Sequence, residues 1–342
     1  MELYILCLGF KFAIQIYIKK MSLYIVVLLV LAYMISKRFL KTLKIARIYD
    51  KYVFITGCDS GFGNLLAKRL DYRGMNVFAG CLTEEGRDKL DRSTSCRVTP
   101  LLIDITDEES IKNACMFVKS RLPHGRGLHG LVNNAGISDS ISLLISEWIP
   151  IDDYKRLLDV NLYGMVRVTN RFLPLIRQER GRIVNMSSVL GRLFAAGGAP
   201  YVCSKFAVEG YSDTLRQEYY TAGVKVSIIE PSAFKTNVFD TDKAKEKLCE
   251  YFKRQDEDVI EYYGKDYPEI IIKNMMGEGV FSKRLYQVVD AYEHALTSKF
   301  PEGRYLVGKD SHTYIRFLYF APEWLTAKII GTLNWPLPKG QR

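Results

Sequence analysis

From residue 51 onward the hydrophobic pattern keeps changing period. Short β-rich runs, YVFIT at 52–56, NVFAG at 76–80, VTPLLI at 98–103, then LHGLVNN, RIVNMSS, VKVSIIE and YLVG, are separated by longer stretches with helical spacing at 61–74, 84–92, 107–121, 152–178 and 201–222. Parallel strands need a crossover between neighbours, so strand and helix in alternation predict a parallel sheet covered on both faces. The expected fold is a doubly wound α/β (Rossmann) domain of about seven strands, a single domain spanning 51–310. Two regions break the rhythm. Residues 237–280 are rich in charge and tyrosine, and an insert of that length is either a substrate lid or a surface excursion. Residues 311–342 are apolar and aromatic; a core helix would look similar, but Arg316 and Lys328 among the aromatics favour a helix at a membrane interface.

The N-terminus follows a different pattern. Residues 22–35 carry no charge, and an apolar stretch at 3–18 is interrupted only by Lys11. A span needs about 20 residues, so 22–35 crosses a bilayer with its flanks, or both stretches form a hairpin. A cleaved signal peptide is disfavoured because the run exits into Ser36-Lys37-Arg38 without a small-residue cleavage site. Residues 1–50 are therefore expected to be a membrane anchor with a basic flank, facing the cytosol by the positive-inside rule.

Composition adds exclusions. With 342 residues, 48% apolar and 25% charged, the chain is ordinary globular protein rather than a disordered or disulfide-scaffold sequence. Most of the +10 net charge lies in the first 50 residues beside the apolar run, so it indicates a membrane flank and not a nucleic-acid surface. Seven scattered cysteines without a CxxC pair and four histidines do not suggest a metal, and free thiols lean toward a reducing compartment. The sequon at Asn185 falls in an expected buried strand, so no glycan is expected there.

Chemistry concentrates at the strand ends. The first strand runs into Thr56-Gly57-Cys58-Asp59-Ser60-Gly61-Phe62-Gly63 and then a helix. Glycines let the backbone approach a pyrophosphate, and the helix offers its positive end, so the turn is a candidate dinucleotide site. Ser188 ends another strand, and Tyr201 and Lys205, four apart, share a helix face. An ammonium beside a phenol stabilises the phenolate, making tyrosine a proton acceptor near neutral pH.

In order along the chain stand TGCDSGFG at 56–63, Asp104, Asn133-Asn134-Ala135-Gly136, Asn161 in VNLYG, Ser188, Tyr201 with Lys205, and Glu230-Pro231-Ser232-Ala233-Phe234-Lys235-Thr236. This combination resembles the short-chain dehydrogenase/reductase family across about residues 51–310, and within it the membrane-bound retinol and hydroxysteroid dehydrogenases. The resemblance implies an oxidoreductase moving a hydride between a nicotinamide cofactor and a lipophilic alcohol, with Tyr201 as base, Lys205 lowering its pKa and bonding the nicotinamide ribose, Ser188 orienting the substrate oxygen and Asn161 holding a relay water. It further implies that Asp104 meets the adenine, that Asn133, Ala135 and Gly136 line the cofactor cleft with Pro231, and that Thr236 holds the carboxamide. The membrane implied is that of the endoplasmic reticulum, with room for a homo-oligomer. Alternatives are an NADPH-dependent reductase of a lipophilic ketone or aldehyde and a non-catalytic nucleotide-binding scaffold, against which the intact Asn161, Ser188, Tyr201 and Lys205 set speaks. Three departures stand out: Ser232 where a glycine is usual, Cys81 where NAD enzymes often place an aspartate, and the extra stretch 2–20. Asp59 in the turn, with no lysine or arginine there, makes NAD the expected cofactor over NADP.

Overall fold

Strand β1, Tyr52–Thr56, shows why the sheet forms where it does. Its alternate residues face opposite sides: Val53 and Ile55 join one core cluster and Phe54 the other, where its ring stacks on Phe172 at 4.4 Å. A strand buried on both faces must sit in the middle of a covered sheet. The computed structural model of the protein describes residues 24–138, 144–194, 196–236, 241–275, 281–309, 311–334 and 338–339. Seven strands form one sheet in the order β3-β2-β1-β4-β5-β6-β7, every pairing parallel, as the alternation led us to expect. The others are β2 Asn76–Cys81, β3 Val98–Leu102, β4 Gly130–Asn133, β5 Arg182–Met186, β6 Lys225–Pro231 and β7 Arg304–Val307.

Helix α2, Gly61–Tyr72, and helix α11, Tyr286–Thr297, cover one face through Leu66, Leu70, Val288 and Tyr292. The other is covered by α4, Glu108–Arg121, α6, Met165–Gln178, and α7, Ala199–Glu218, through Ile111, Val118, Phe172, Ile176 and Leu215. Local chemistry fixes the helix starts. Asp107 caps α4 by accepting the Glu109 amide at 3.0 Å, and Thr83 caps α3, Glu84–Asp91, by accepting the Gly86 amide at 3.0 Å; each helix opens with two glutamates at its positive end. The helical stretch expected at 152–178 is interrupted: α5, Ile151–Leu158, passes through a π-helical segment, Asp159–Gly164, before α6. Gly164 approaches so closely that a Cβ there would lie 2.8 Å from Ile105 Cδ1, and such bulges re-aim side chains at functional sites. Asn161 lies inside it.

Within the region expected as a lid, 237–280, the described residues form three helices, α8 Thr241–Lys253, α9 Glu257–Tyr263 and α10 Tyr267–Met275. Their inner faces build a third apolar cluster with Leu144, Trp148 and Leu157, against which Ile137 and Tyr201 pack. The C-terminal region holds α12, Arg316–Phe320, and α13, Glu323–Asn334.

Of the described residues, 24–46 with 298–300 form a separate unit. Residues 24–42 are helical, α1, and every one is exposed. No helix among the described residues is long and apolar enough to cross a membrane, and the stretch 3–18 lies outside them. The six described cysteines are free.

One buried histidine gives a stability prediction. His129 bonds the Leu296 carbonyl through Nε2 at 2.9 Å, and burial, then the nearby Arg182 charge, lowers its pKa to about 4. An unfolded histidine titrates near 6.5, so between roughly pH 6.5 and the folded value the unfolded state binds more protons and stability falls as pH falls. Urea melts from pH 7 to 4.5 should show wild type losing stability relative to His129→Gln on acidification. Parallel curves would refute this origin.

Candidate active site

The strand order reverses direction between β1 and β4, and the loops after these two strands meet there, where open α/β sheets bind ligands. Thr56 Oγ1 accepts the amides of Asn134 and Ala135, each at 3.1 Å, while Asn134 Nδ2 donates to the Thr56 and Gly57 carbonyls, each at 3.0 Å. The glycine turn is shaped by steric necessity. Gly57 has φ +72° and a Cβ there would lie 2.8 Å from Ala135 Cα, while a Cβ on Gly63 would lie 2.3 Å from the Gly57 carbonyl oxygen. Gly61, at φ +61°, has nothing within 4 Å of that position, so the N-terminus of α2 opens onto free space behind Ser60. Phe62 packs edge-on against Phe234 at 5.8 Å. This cradle suits the pyrophosphate of a dinucleotide: close backbone approach, a helix N-terminus and open space at Gly61.

Asp59 leaves the turn toward the end of β2. Its carboxylate accepts the Leu82 and Thr83 amides, each at 2.9 Å, and the Thr83 hydroxyl at 2.7 Å. Asp104, after β3, accepts the Thr106 amide at 2.8 Å and hydroxyl at 2.7 Å through one oxygen.

The reacting end is assembled by β4, β5, the π segment and α7. Lys205 Nζ lies 5.5 Å from the Tyr201 ring centroid and donates to the Met186 carbonyl at 3.1 Å. Ser188 donates to the Pro231 carbonyl at 3.5 Å and accepts the Leu190 amide at 3.2 Å, and its hydroxyl favours the charged form of the Tyr201 phenol. Asn161 is locked on both sides: Oδ1 accepts the Ile137 amide at 2.8 Å, and Nδ2 donates to the Ile137 carbonyl at 2.8 Å and Ser204 Oγ at 3.1 Å. Gly136 brings the groups together, since a Cβ there would lie 3.0 Å from Asn161 Oδ1 and 3.9 Å from Lys205 Nζ. Burial raises the Tyr201 phenol above its ordinary 10, opposed by Ser188, and pushes Lys205 down to about 8. The expected phenol-lowering ammonium therefore lies beside the ring, bonded to a carbonyl, and the buried phenol is neutral. Burial thus outweighs the lowering expected from Lys205: a neutral phenol is a proton donor, and Tyr201 can act as a base only once its own proton has been lost.

Gly136, Asn161, Tyr201 and Lys205 come together here, and Thr56, Gly57, Gly63 and Ala135 in the cradle. Asn133 is the one placed differently: its side chain is buried, donating to Thr169 Oγ1 and Asn185 Oδ1, each at 2.9 Å. Strand alternation sends it to the α6 face with Leu131, and Asn134, to which the resemblance gave no role, makes the clasp. Asn185, fully buried and bonded to Ser212, offers no amide to a glycan. Ser232 causes no distortion: its backbone is not left-handed, and its amide continues the β6 ladder to the Val307 carbonyl at 2.8 Å. Thr236 ends the described part of that loop, half-buried.

A parallel sheet with a glycine cradle at its switch point and a serine, tyrosine and lysine at the adjacent strand ends defines a nicotinamide-dependent oxidoreductase. The family model described as short chain dehydrogenase matches residues 51–247, and the chain belongs to that family. It is 46% identical to human "17-beta-hydroxysteroid dehydrogenase type 6" over 297 residues, 86% of this chain and 92% of that protein. It is 45% identical to "Retinol dehydrogenase 7" of Rattus norvegicus over 287 residues, 84% and 89% of the two chains. Among solved structures, a short-chain dehydrogenase from Streptomyces avermitilis superposes with a TM-score of 0.62 at 26% identity, covering 78% of this chain and 91% of that one.

Proposed function

We propose that the protein is a membrane-anchored dehydrogenase that oxidises a secondary or allylic alcohol of a lipophilic molecule, a retinol or a hydroxysteroid, with Tyr201 as general base and NAD preferred to NADP. The observation that carries this reading is the position of Tyr201: beside the Lys205 ammonium and packed against the apolar cluster of Trp148, Phe252, Tyr263 and Tyr267. A polar reacting corner on an aromatic wall suits a substrate that is hydrocarbon except at one hydroxyl.

Ser188 donates to the substrate oxygen and holds it toward Tyr201. The phenol oxygen, as phenolate, takes the hydroxyl proton, and Lys205 stabilises the negative charge while it exists. Asn161 fixes the Ile137 loop that borders this corner and would hold a water that returns the proton to solvent. The nicotinamide, when bound, supplies the hydride acceptor. Gly57, Gly61 and Gly63 with Ser60 and Phe62 would hold its pyrophosphate, Asp104 its adenine, Ala135, Gly136 and Pro231 its cleft walls, and Thr236 its carboxamide.

Turnover of all-trans-retinol and of an androstane diol, each with NAD and NADP, tests the reading; no oxidation of either would reject it. The names of the relatives support both substrate classes.

The membrane part of the reading rests on two exposed apolar surfaces, the helix α1 and an aromatic set formed by Phe317, Phe320 and Trp324, which are 53%, 77% and 69% exposed. We expect residues 1–50 to resist carbonate extraction from microsomes, with the catalytic domain digested by added protease without detergent. Release into the supernatant, or protection until detergent is added, would defeat the respective half. Endoplasmic reticulum is the membrane this reading favours.

A further inference from the structure

Helix α7 carries more of the site's chemistry than the YxxxK pair. Tyr201, Lys205, Glu209 and Asp213 stand at successive intervals of four, one stripe along the helix, and Lys205 and Glu209 are both buried. A buried carboxylate one turn beyond a buried ammonium calls for an explanation, because an unpaired one is costly. Its partner comes from the last strand: Arg304 Nε donates to Glu209 Oε2 at 3.1 Å and lies 3.1 Å from Glu230 Oε1, while its Nη2 donates to Asp213 at 2.5 Å. Among the described residues Glu209 Oε1 and both oxygens of Glu230 are buried without a hydrogen-bond partner, so the acids depend on ion pairs: Arg304 serves all three, with Arg192 at 3.8 Å from Glu230 and Arg216 on Asp213.

We propose that Glu209 is a positioning residue for the reaction: anchored by Arg304, it keeps Lys205 an ammonium where it must support the Tyr201 phenolate. The inference rests on the catalytic reading given above. The groups facing Lys205 are the Tyr201 ring, the Met186 carbonyl from β5 and Glu209; among the described residues Glu209 is the carboxylate whose charge reaches it, and that charge works against the burial that pulls it down. Facing Glu209 are Arg304 from β7, Glu230 from β6, Asp213 on α7, the Ser187 hydroxyl after β5 and Arg192 beyond it. Tyr319 of α12 closes the group, its ring under the Arg192 guanidinium at 4.0 Å. Burial, then the Glu209 charge, holds Glu230 at about 7, so Glu230 can take over as the anion on Arg304 if Glu209 is neutralised.

Without Glu209, Lys205 loses its proton at lower pH, and the phenolate loses its support there. In Glu209→Gln the alkaline limb of kcat/KM for retinol or androstane diol with NAD should move down by about one pH unit, a tenfold loss at the alkaline end. NADH binding followed by fluorescence should lose its alkaline range in step. Asp213→Asn, which disturbs the same arginine without touching Lys205, should leave both profiles in place, and Glu209→Asp should restore part of the shift. Glu209→Met is the second variant should the amide fail to fold, and is read in the same way. A folded Glu209 variant with wild-type profiles, or an equal shift in Asp213→Asn, overturns the proposal. Retained turnover in Tyr201→Phe would instead overturn the catalytic reading on which it rests.

Discussion

Tyr201→Phe should lower turnover by about a thousandfold while leaving the fold and NAD binding intact. General acid–base catalysis is worth about 10²–10⁴ in rate, and this substitution removes the one oxygen placed to take the hydroxyl proton. The ring itself is kept, so the packing of Tyr201 against the Trp148 cluster should survive. Ser188 keeps its bonds to the Pro231 carbonyl and the Leu190 amide, so little structural loss is expected. Dehydrogenation, NAD affinity and the melting temperature measured together discriminate the possibilities. Turnover near wild type would reject Tyr201 as base, and lost cofactor binding with an unchanged melt would assign it a binding role.

How legible the site was depends on what each residue answers to. The seven strands could be read because both-sided burial writes itself as unbroken apolar runs, and the glycine turn because Gly57 and Gly63 are sterically forced. The π segment was not legible: VNLYG continues the helical period, and only the close approach of Gly164 to Ile105 explains the bulge that aims Asn161. Asn133 and Asn134 show a finer limit. Two identical side chains stand side by side, and which one faces the core is decided by the last residue of β4, an end that sequence periodicity locates only to a few positions. Glu209 did leave a signal, the spacing YxxxKxxxE, but its partner Arg304 lies 95 positions away, beyond any local pattern.

Asp59→Arg should move the ratio of kcat/KM for NADP over NAD by about a hundredfold toward NADP. The end of β2 is where an adenine ribose is read in this fold class, and there Cys81 offers a buried thiol instead of an acid. The Asp59 carboxylate reaches that place from the glycine turn, bound to the Leu82 and Thr83 amides. Its field is felt there: burial, then the Asp59 charge, pushes the Cys81 thiol up to about 12. A unit negative charge about 6 Å away at an effective dielectric of about 20 repels a phosphate charge by nearly 3 kcal/mol, which is the hundredfold expected. The same three hydrogen bonds predict a side effect. Asp59→Arg removes the acceptor that ties Leu82 and Thr83 to the turn, so the melting temperature should fall as well, whereas Asp59→Asn keeps one acceptor oxygen, loses only the charge, and should shift the ratio by about the same hundredfold with a smaller loss of stability. A wild type that already favours NADP, or ratios unmoved in both variants, would show that this carboxylate does not select the cofactor.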